Sequence, residues 1–178
     1  AIDGAIVSKY RNSGQTCICS NRLYVNDAVY DEFVAKYASR VAALPVGNGF
    51  EDASAIGPLI DTDGFDKVQN LVSDAVARGA KVITGGEPHK LGGTFFQPTV
   101  IANATAEMMV SSNEIFGPVA PVYRFTEEED VITQANNTAY GLAAYFYGRD
   151  VGRIWRVAEA LEYGMVGVNT GIISEVQA

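Results

Sequence analysis

The sequence is short of the residues that build metal sites and disulfide frameworks. Its 178 residues include only two cysteines, one histidine and one tryptophan. Two cysteines cannot supply the four ligands of a structural zinc site, and a reduced pair of thiols is the default expectation for such a chain. We therefore expect no metal site, no disulfide framework and a cytoplasmic protein.

Basic residues and long apolar runs are also scarce. Thirteen Lys and Arg stand against 21 Asp and Glu, for a formal net charge of -8, so the basic surface that nucleic-acid binding needs is missing. No apolar run approaches the roughly 18–20 residues of a membrane span, and no signal peptide is visible. We expect neither a nucleic-acid partner nor a membrane. The two ends, without an initiator Met, suggest a piece cut from a longer chain.

What the chain does contain is a regular alternation of strand and helix patterns. The apolar fraction of 48% suits one domain with a buried core. Strand patterns occur at 22–26, 81–86, 95–101, 120–125, 143–148 and 164–171, and helix patterns at 28–44, 63–78, 127–138 and 151–161, with a short helix after 106. This alternation predicts one α/β domain over 1–178, with a mostly parallel sheet flanked by helices.

Both cysteines lie in the segment NSGQTCICSNR, which we call the thiol segment and which contains no acidic residue. Gly14 permits a close backbone approach just before Cys17. The nearby charged residues are all basic: Lys9, Arg11 and Arg22. Cationic surroundings favour the thiolate, which is the nucleophilic form, so Cys17 is a candidate nucleophile. The alternative is a small buried residue, as free cysteine often is.

The residue order in this region is more specific than its charge. Tyr10 to Cys17, YRNSGQTC, resembles the nucleophile motif of the aldehyde dehydrogenases, aromatic-x-Asn-x-Gly-Gln-x-Cys. EIFGPV at 114–119 is similar to the family's Glu-x-Phe-Gly-Pro segment, and GPLID, GGTFFQPTV and NNTAYGLAA also resemble family segments. The resemblance covers essentially the whole chain and implies the catalytic domain of the aldehyde dehydrogenase fold, with NAD or NADP as cofactor.

The resemblance also implies roles for particular residues. Cys17 would attack the aldehyde carbon, giving a thiohemiacetal and, after hydride transfer, a thioester. Glu114 would hold the nicotinamide ribose hydroxyls and Phe116 would pack near the ring. Cys19 would be a redox partner of Cys17, forming a strained and easily reduced disulfide as an oxidative off-switch; the alternative is again a small buried residue.

Two further segments, GQTCICSNRLYV and ALEYGMVGVNTGIIS, resemble family members that oxidise succinate semialdehyde. In those enzymes an arginine and a serine hold the substrate carboxylate, and the matching residues here are Arg11 and Ser174. A guanidinium does bind a carboxylate through two parallel hydrogen bonds. The alternatives for these two residues are an ordinary surface arginine and an ordinary loop serine. The alternative substrates are glutarate semialdehyde or another small aldehyde. The alternative function is that of a non-catalytic structural relative.

The chain also departs from the family pattern. It has no glutamate in a Leu-Gly-Gly context, which is the family's general base, and it lacks the dinucleotide-binding half and the oligomerisation strand. We expect this fragment to be inactive by itself. The full-length protein is expected to be a homo-oligomer, a dimer or a tetramer.

Overall fold

A computed structural model of the chain describes residues 1–51 and 53–174, which form six α-helices and six β-strands. The helices are α1 (Ile2–Tyr10), α2 (Tyr30–Ala42), α3 (Thr62–Ala77), α4 (Met109–Ser112), α5 (Glu128–Asn136) and α6 (Val151–Ala160). The strands are β1 (Leu23–Asn26), β2 (Lys81–Thr84), β3 (Thr99–Ala102), β4 (Val119–Phe125), β5 (Ala143–Phe146) and β6 (Met165–Val168). Two 3₁₀ turns, Arg11–Gly14 and Asp27–Val29, follow α1 and β1.

Four strands form one sheet in the order β1-β4-β3-β2. β1 and β3 both run parallel to β4, with Leu23 opposite Val122 and Val100 opposite Ala120, whereas β2 runs antiparallel to β3 at the edge. β5 and β6 form a separate, parallel two-stranded sheet. The predicted α/β fold with a mostly parallel sheet is confirmed, although its strands divide between two sheets.

The four-stranded sheet is covered on both faces, which explains why its central strands are mostly apolar. All four residues of β3 are buried. Val100 packs in a cluster with Tyr37 of α2, while the next residue, Ile101, packs in a cluster with Val68 of α3. The thiol segment follows the end of α1 and leads into β1 of this sheet.

Some element boundaries differ from the sequence expectation. Residues 2–10 form α1, which the patterns did not indicate, because the stretch contains glycine and β-branched residues that favour helix weakly. α2 begins at Tyr30 because Asn26 accepts a hydrogen bond from the N–H of Ala28 at 3.1 Å and caps a 3₁₀ turn there. Val29, which falls within the helix pattern of 28–44, consequently precedes the helix and is exposed.

Two helix ends carry residues of the types that favour a cap. Asp150 caps α6, its Oδ1 accepting the N–H of Arg153 at 2.7 Å. Gly79 follows the end of α3 with a φ of +96°, the left-handed region that glycine adopts at little cost. Among the helices of the described residues, none has the length and apolar character needed to cross a membrane.

Candidate active site

The candidate nucleophile follows a stretch of unusual backbone. After α1, the residues Asn12, Ser13 and Gly14 have φ angles of 51°, 58° and 74°. Positive φ is uncommon for residues other than glycine, so two in succession carry strain that the surrounding contacts must offset. The chain reverses sharply before Cys17, whose side chain is exposed.

Hydrogen bonds to the GPLID segment hold this reversal in place. Ser13 Oγ accepts the N–H of Gly57 at 2.8 Å and donates to its carbonyl at 3.1 Å. Gln15 Nε2 donates to the Pro58 carbonyl at 3.1 Å, and its Oε1 accepts the N–H of Ile60 at 2.9 Å. The GPLID segment therefore holds the nucleophile motif in position through these hydrogen bonds.

The two main motifs meet through glycine backbones. A Cβ atom on Gly14 would lie 2.1 Å from the carbonyl oxygen of Gly117, so a side chain is excluded there. Asn21 joins the same two segments, accepting the N–H of Ile115 at 2.9 Å and donating to the carbonyl of Asn113 at 2.9 Å. Nothing in the sequence indicated this role for Asn21 except its place in the thiol segment.

The two thiols share one loop but differ in environment. Cys17 is exposed, Cys19 is partly buried, and both are free. Burial raises the pKa of the Cys19 thiol, and the nearby Lys9 ammonium acts in the opposite direction. Between the two cysteines, the Ile18 carbonyl accepts a hydrogen bond from the Tyr145 hydroxyl of β5 at 3.0 Å. β5 therefore holds the peptide that separates the two sulfur atoms.

The two residues predicted to bind a substrate carboxylate contact each other. Arg11 Nη1 donates to Ser174 Oγ at 2.8 Å, across a sequence separation of 163 residues. α1 packs closely against the segment that leads to this serine, since a Cβ on Gly171 would lie 2.1 Å from the Gly4 carbonyl oxygen. Cys19 Sγ lies 3.9 Å from the Arg11 carbonyl oxygen, which keeps this pair next to the thiol segment.

A groove of about 1020 Å³ runs past the thiol segment. The predicted nucleophile, redox partner and cofactor residues all line it: Cys17, Cys19, Glu114 and Phe116. Arg11 and Ser174 lie beside the groove and are not among its lining residues. In the described parts of the chain, no cluster of three or more His, Cys, Asp or Glu side chains could hold a metal ion.

The two predicted cofactor residues, Glu114 and Phe116, differ in exposure and in backbone geometry. Glu114 is exposed, and a carboxylate can accept hydrogen bonds from two ribose hydroxyls. Phe116 has a left-handed backbone with a φ of 49°, and the Lys67 ammonium of α3 lies 5.8 Å from the centroid of its ring. Lys67 had no signal in the sequence, because its contact with Phe116 joins two separate elements.

Arg22 serves a helix rather than the nucleophile. Its guanidinium donates to the carbonyls of Gln134 at 2.9 Å and Ala135 at 2.8 Å in the last turn of α5. It also donates to the Tyr163 hydroxyl at 3.2 Å. A cation at a helix C-terminus satisfies carbonyls that have no partner within the helix. The charge of Arg22, expected near Cys17, is thus bound to α5.

Comparison with known proteins agrees with the arrangement of these motifs. The model of the aldehyde dehydrogenase family matches residues 1–178. The chain belongs to the aldehyde dehydrogenase family. The family expectation drawn from YRNSGQTC and EIFGPV is therefore confirmed.

Individual aldehyde dehydrogenases resemble the chain closely. The glutarate-semialdehyde dehydrogenase of Pseudomonas aeruginosa is 57% identical over 174 residues, which are 98% of this chain and 36% of that protein. The succinate-semialdehyde dehydrogenase (NADP(+)) GabD of Escherichia coli is 55% identical over the same shares. The crystal structure of succinate-semialdehyde dehydrogenase from Burkholderia pseudomallei matches with a TM-score of 0.97 and 53% identity, covering 99% of this chain and 37% of that one. The chain thus spans about 36% of the length of these curated relatives.

Proposed function

We propose that the chain carries the nucleophile and the carboxylate site of an NAD(P)-dependent aldehyde dehydrogenase that oxidises succinate semialdehyde to succinate. The observation that carries the proposal is the Arg11–Ser174 hydrogen bond beside the loop that exposes Cys17. In the described structure this guanidinium bonds a neutral hydroxyl and no carboxylate. It can therefore take up a substrate carboxylate bidentately while the aldehyde end reacts with the thiol.

The proposed reaction begins at the Cys17 sulfur. The thiolate attacks the aldehyde carbon, a C–S bond forms, and the carbonyl oxygen becomes the oxyanion of a thiohemiacetal. The backbone N–H of Cys17 is the donor we propose for that oxyanion. NAD or NADP, when bound, supplies the acceptor for the hydride. Cys17 then carries a thioester, which water hydrolyses to release succinate and the free thiol.

Glu114 and Phe116 are the residues we propose for the nicotinamide end of the cofactor. Both line the groove that also contains Cys17. The carboxylate of Glu114 would accept hydrogen bonds from the ribose hydroxyls, and the ring of Phe116 would pack near the nicotinamide. Lys67 of α3 would restrain the Phe116 ring by its cation–π contact.

Glutarate semialdehyde is the second candidate substrate. Two curated relatives, 57% and 54% identical to the chain, are named glutarate-semialdehyde dehydrogenases. The two semialdehydes differ by one methylene, and a pocket discriminates one methylene only by roughly 10- to 200-fold. The carboxylate site proposed for Arg11 and Ser174 suits both compounds.

The proposal can be tested on the chain as it is, because an aldehyde that adds to Cys17 blocks its alkylation. We expect succinate semialdehyde to slow iodoacetamide labelling of Cys17 at concentrations at which uncharged butanal does not. Arg11→Met should weaken this protection by about tenfold or more, since a charged hydrogen bond contributes on the order of 1.5–3 kcal/mol. The labelling of each cysteine is read by peptide mass spectrometry.

Arg40→Met is the matched control, because Arg40 is an exposed arginine of α2 that pairs with Asp3. It should leave the protection unchanged. Equal protection by butanal and by the semialdehyde would contradict the carboxylate site. Stronger protection by glutarate semialdehyde would favour the second candidate.

A further inference from the structure

The segment that carries Glu114 lies outside the helices and strands. Residues 113–118 join the end of α4 to the start of β4. Backbone groups outside such elements need other partners, because an unpaired N–H or carbonyl is costly when it is buried. Ile115 is fully buried, whereas Glu114 is exposed. The position of the Glu114 carboxylate therefore depends on contacts that other parts of the chain make with this segment.

The side-chain amide of Asn21 makes these contacts on both sides of Glu114. Its Oδ1 accepts the N–H of Ile115 at 2.9 Å, and its Nδ2 donates to the carbonyl of Asn113 at 2.9 Å. Among the described residues, no other hydrogen-bond partner of these two backbone groups is found. Asn21 Nδ2 also lies 3.4 Å from the carbonyl of Val110 in α4. Because an amide has one acceptor atom and one donor atom, only one orientation of the Asn21 side chain satisfies all three groups.

Asn21 also belongs to the loop that carries the candidate nucleophile. It follows Cys17 by four residues in the thiol segment. The next residue, Arg22, is bonded to carbonyls in the last turn of α5, and β1 begins directly after it. Cys17, Asn21 and Glu114 all line the same groove. A single side chain thus connects the nucleophile loop to the segment that carries the proposed cofactor residue.

We propose that Asn21 is a positioning residue for Glu114, its amide fixing the backbone on both sides so that the carboxylate meets the nicotinamide ribose at a set distance from Cys17. The inference rests on the cofactor role proposed for Glu114. Asn21 acts through that carboxylate and not on the aldehyde. An apolar side chain in its place would release the N–H of Ile115 and the carbonyl of Asn113, and a small displacement of a group that orients a reactant lowers the rate steeply.

The structural part of this role can be measured on the 178-residue chain. Asn21→Leu keeps a side chain of similar size that cannot form hydrogen bonds. Hydrogen exchange of the Ile115 amide should accelerate by about tenfold or more in this variant, because its acceptor is gone. Iodoacetamide labelling of Cys17 should stay as in the parent, because Ser13 and Gln15 still hold that side of the loop.

Asn136→Leu is the matched control, because Asn136 makes the same pair of bonds elsewhere in the chain. Its Nδ2 donates to the carbonyl of Ala160 at 2.8 Å, and its Oδ1 accepts the N–H of Glu162 at 3.0 Å. This variant should lose stability to a similar extent and leave the exchange of the Ile115 amide unchanged. Circular dichroism checks that both variants fold.

The functional part of the role is measured on the full-length enzyme as a double-mutant cycle. The quantity compared is kcat/KM for the cofactor in the parent, Asn21→Leu, Glu114→Gln and the double variant. We expect Asn21→Leu to lower it by about tenfold. In the Glu114→Gln background the same change should have little further effect, because the carboxylate that Asn21 positions is already gone. Asn136→Leu should leave kcat/KM unchanged, and Asn21→Ala gives the same comparison if Asn21→Leu does not fold.

The outcomes separate the role of Asn21 from that of Glu114. Additive losses in the double variant would overturn the positioning role, and so would an unchanged kcat/KM in Asn21→Leu beside a loss in Glu114→Gln. Unchanged exchange of the Ile115 amide in Asn21→Leu would overturn it as well and leave the cofactor role of Glu114 standing. An unchanged kcat/KM in Glu114→Gln would overturn that cofactor role and the role of Asn21 with it.

Discussion

Lys9 exchanges protons differently in the folded and the unfolded chain. Burial lowers its pKa from 10.5 to about 8, so between these values the unfolded chain binds more protons than the folded one. The free energy of unfolding of the parent therefore rises with pH across this window. Below it both states are charged, and the full cost of burying the ammonium is present.

Lys9→Met should accordingly be more stable than the parent at about pH 7, by on the order of 1–3 kcal/mol. The gain should shrink as pH rises from about 8 toward 10.5, because the parent lysine is neutral in both states only above that range. Urea unfolding of both proteins across this range measures it, with the exposed Lys36→Met as control. A gain that stays constant with pH would indicate better apolar packing and not the removal of a buried charge.

Tyr145 of β5 restrains the loop that carries the two cysteines. Its hydroxyl donates to the Ile18 carbonyl at 3.0 Å, between the two cysteines. Tyr145→Phe should cost about 1 kcal/mol of stability and free the loop, so that Cys17 and Cys19 are alkylated at more similar rates. Peptide mass spectrometry after a short iodoacetamide pulse gives the ratio of the two rates.

Tyr163→Phe provides the comparison for this change. It removes a hydrogen bond of the same kind, from a tyrosine hydroxyl to the Ala135 carbonyl at 2.6 Å, and one from Arg22 to that hydroxyl, without touching the peptide between the two cysteines. It should lower stability to a similar extent and leave the ratio of the alkylation rates as in the parent. A changed ratio in both variants would show a general loosening of the chain.

At the scale of the elements, Arg22 joins β1 to the end of α5. Its two bonds to the carbonyls of Gln134 and Ala135 replace partners that the last helical turn cannot supply. Arg22→Met should destabilise the chain by about 2 kcal/mol, and Arg22→Lys should recover only part of this, because an ammonium lacks the planar fork. Hydrogen exchange of the amides in α5 should accelerate first. Equal exchange in the parent and Arg22→Met would contradict the role of Arg22 as a helix cap.

The elements also differ in how far the sequence predicted them. α3 was expected at 63–78 and is found at Thr62–Ala77, because its apolar spacing, the Asp61 cap and Gly79 are all local signals. α1 was not expected, because packing against α2 stabilises a stretch with weak helix propensity. The division into two sheets was not expected either, since strand pairing joins residues far apart in the chain.

At the scale of the whole molecule, the chain accounts for about 36% of the length of the curated relatives. It contains no glutamate in a Leu-Gly-Gly context to serve as a general base for thioester hydrolysis. We therefore predict that the 178-residue chain, given succinate semialdehyde with NAD or NADP, shows no sustained production of reduced cofactor above the blank. Absorbance of the reduced nicotinamide measures this. Sustained turnover by the chain alone would show that it holds a complete active site.

Some residues of the candidate site were predicted from the sequence, and others were found only in the structure. Cys17, Glu114 and Phe116 were predicted from two short motifs, and the structure brings all three to one groove. Residues that act through distant contacts gave no signal: Asn21, Lys67 and Tyr145. Their side chains are common types at ordinary positions, and only their partners on other elements give them a role.

The sequence by itself determined the family and the residues available for chemistry, because a motif is an order of side chains along the chain. Only the tertiary structure decided that Arg11 reaches Ser174 across 163 residues, and that Lys9 is buried and not exposed on a basic surface. Burial and contact depend on how separate helices and strands pack. Packing brings together residues that are far apart in the sequence, and it can pair two side chains or shift a pKa.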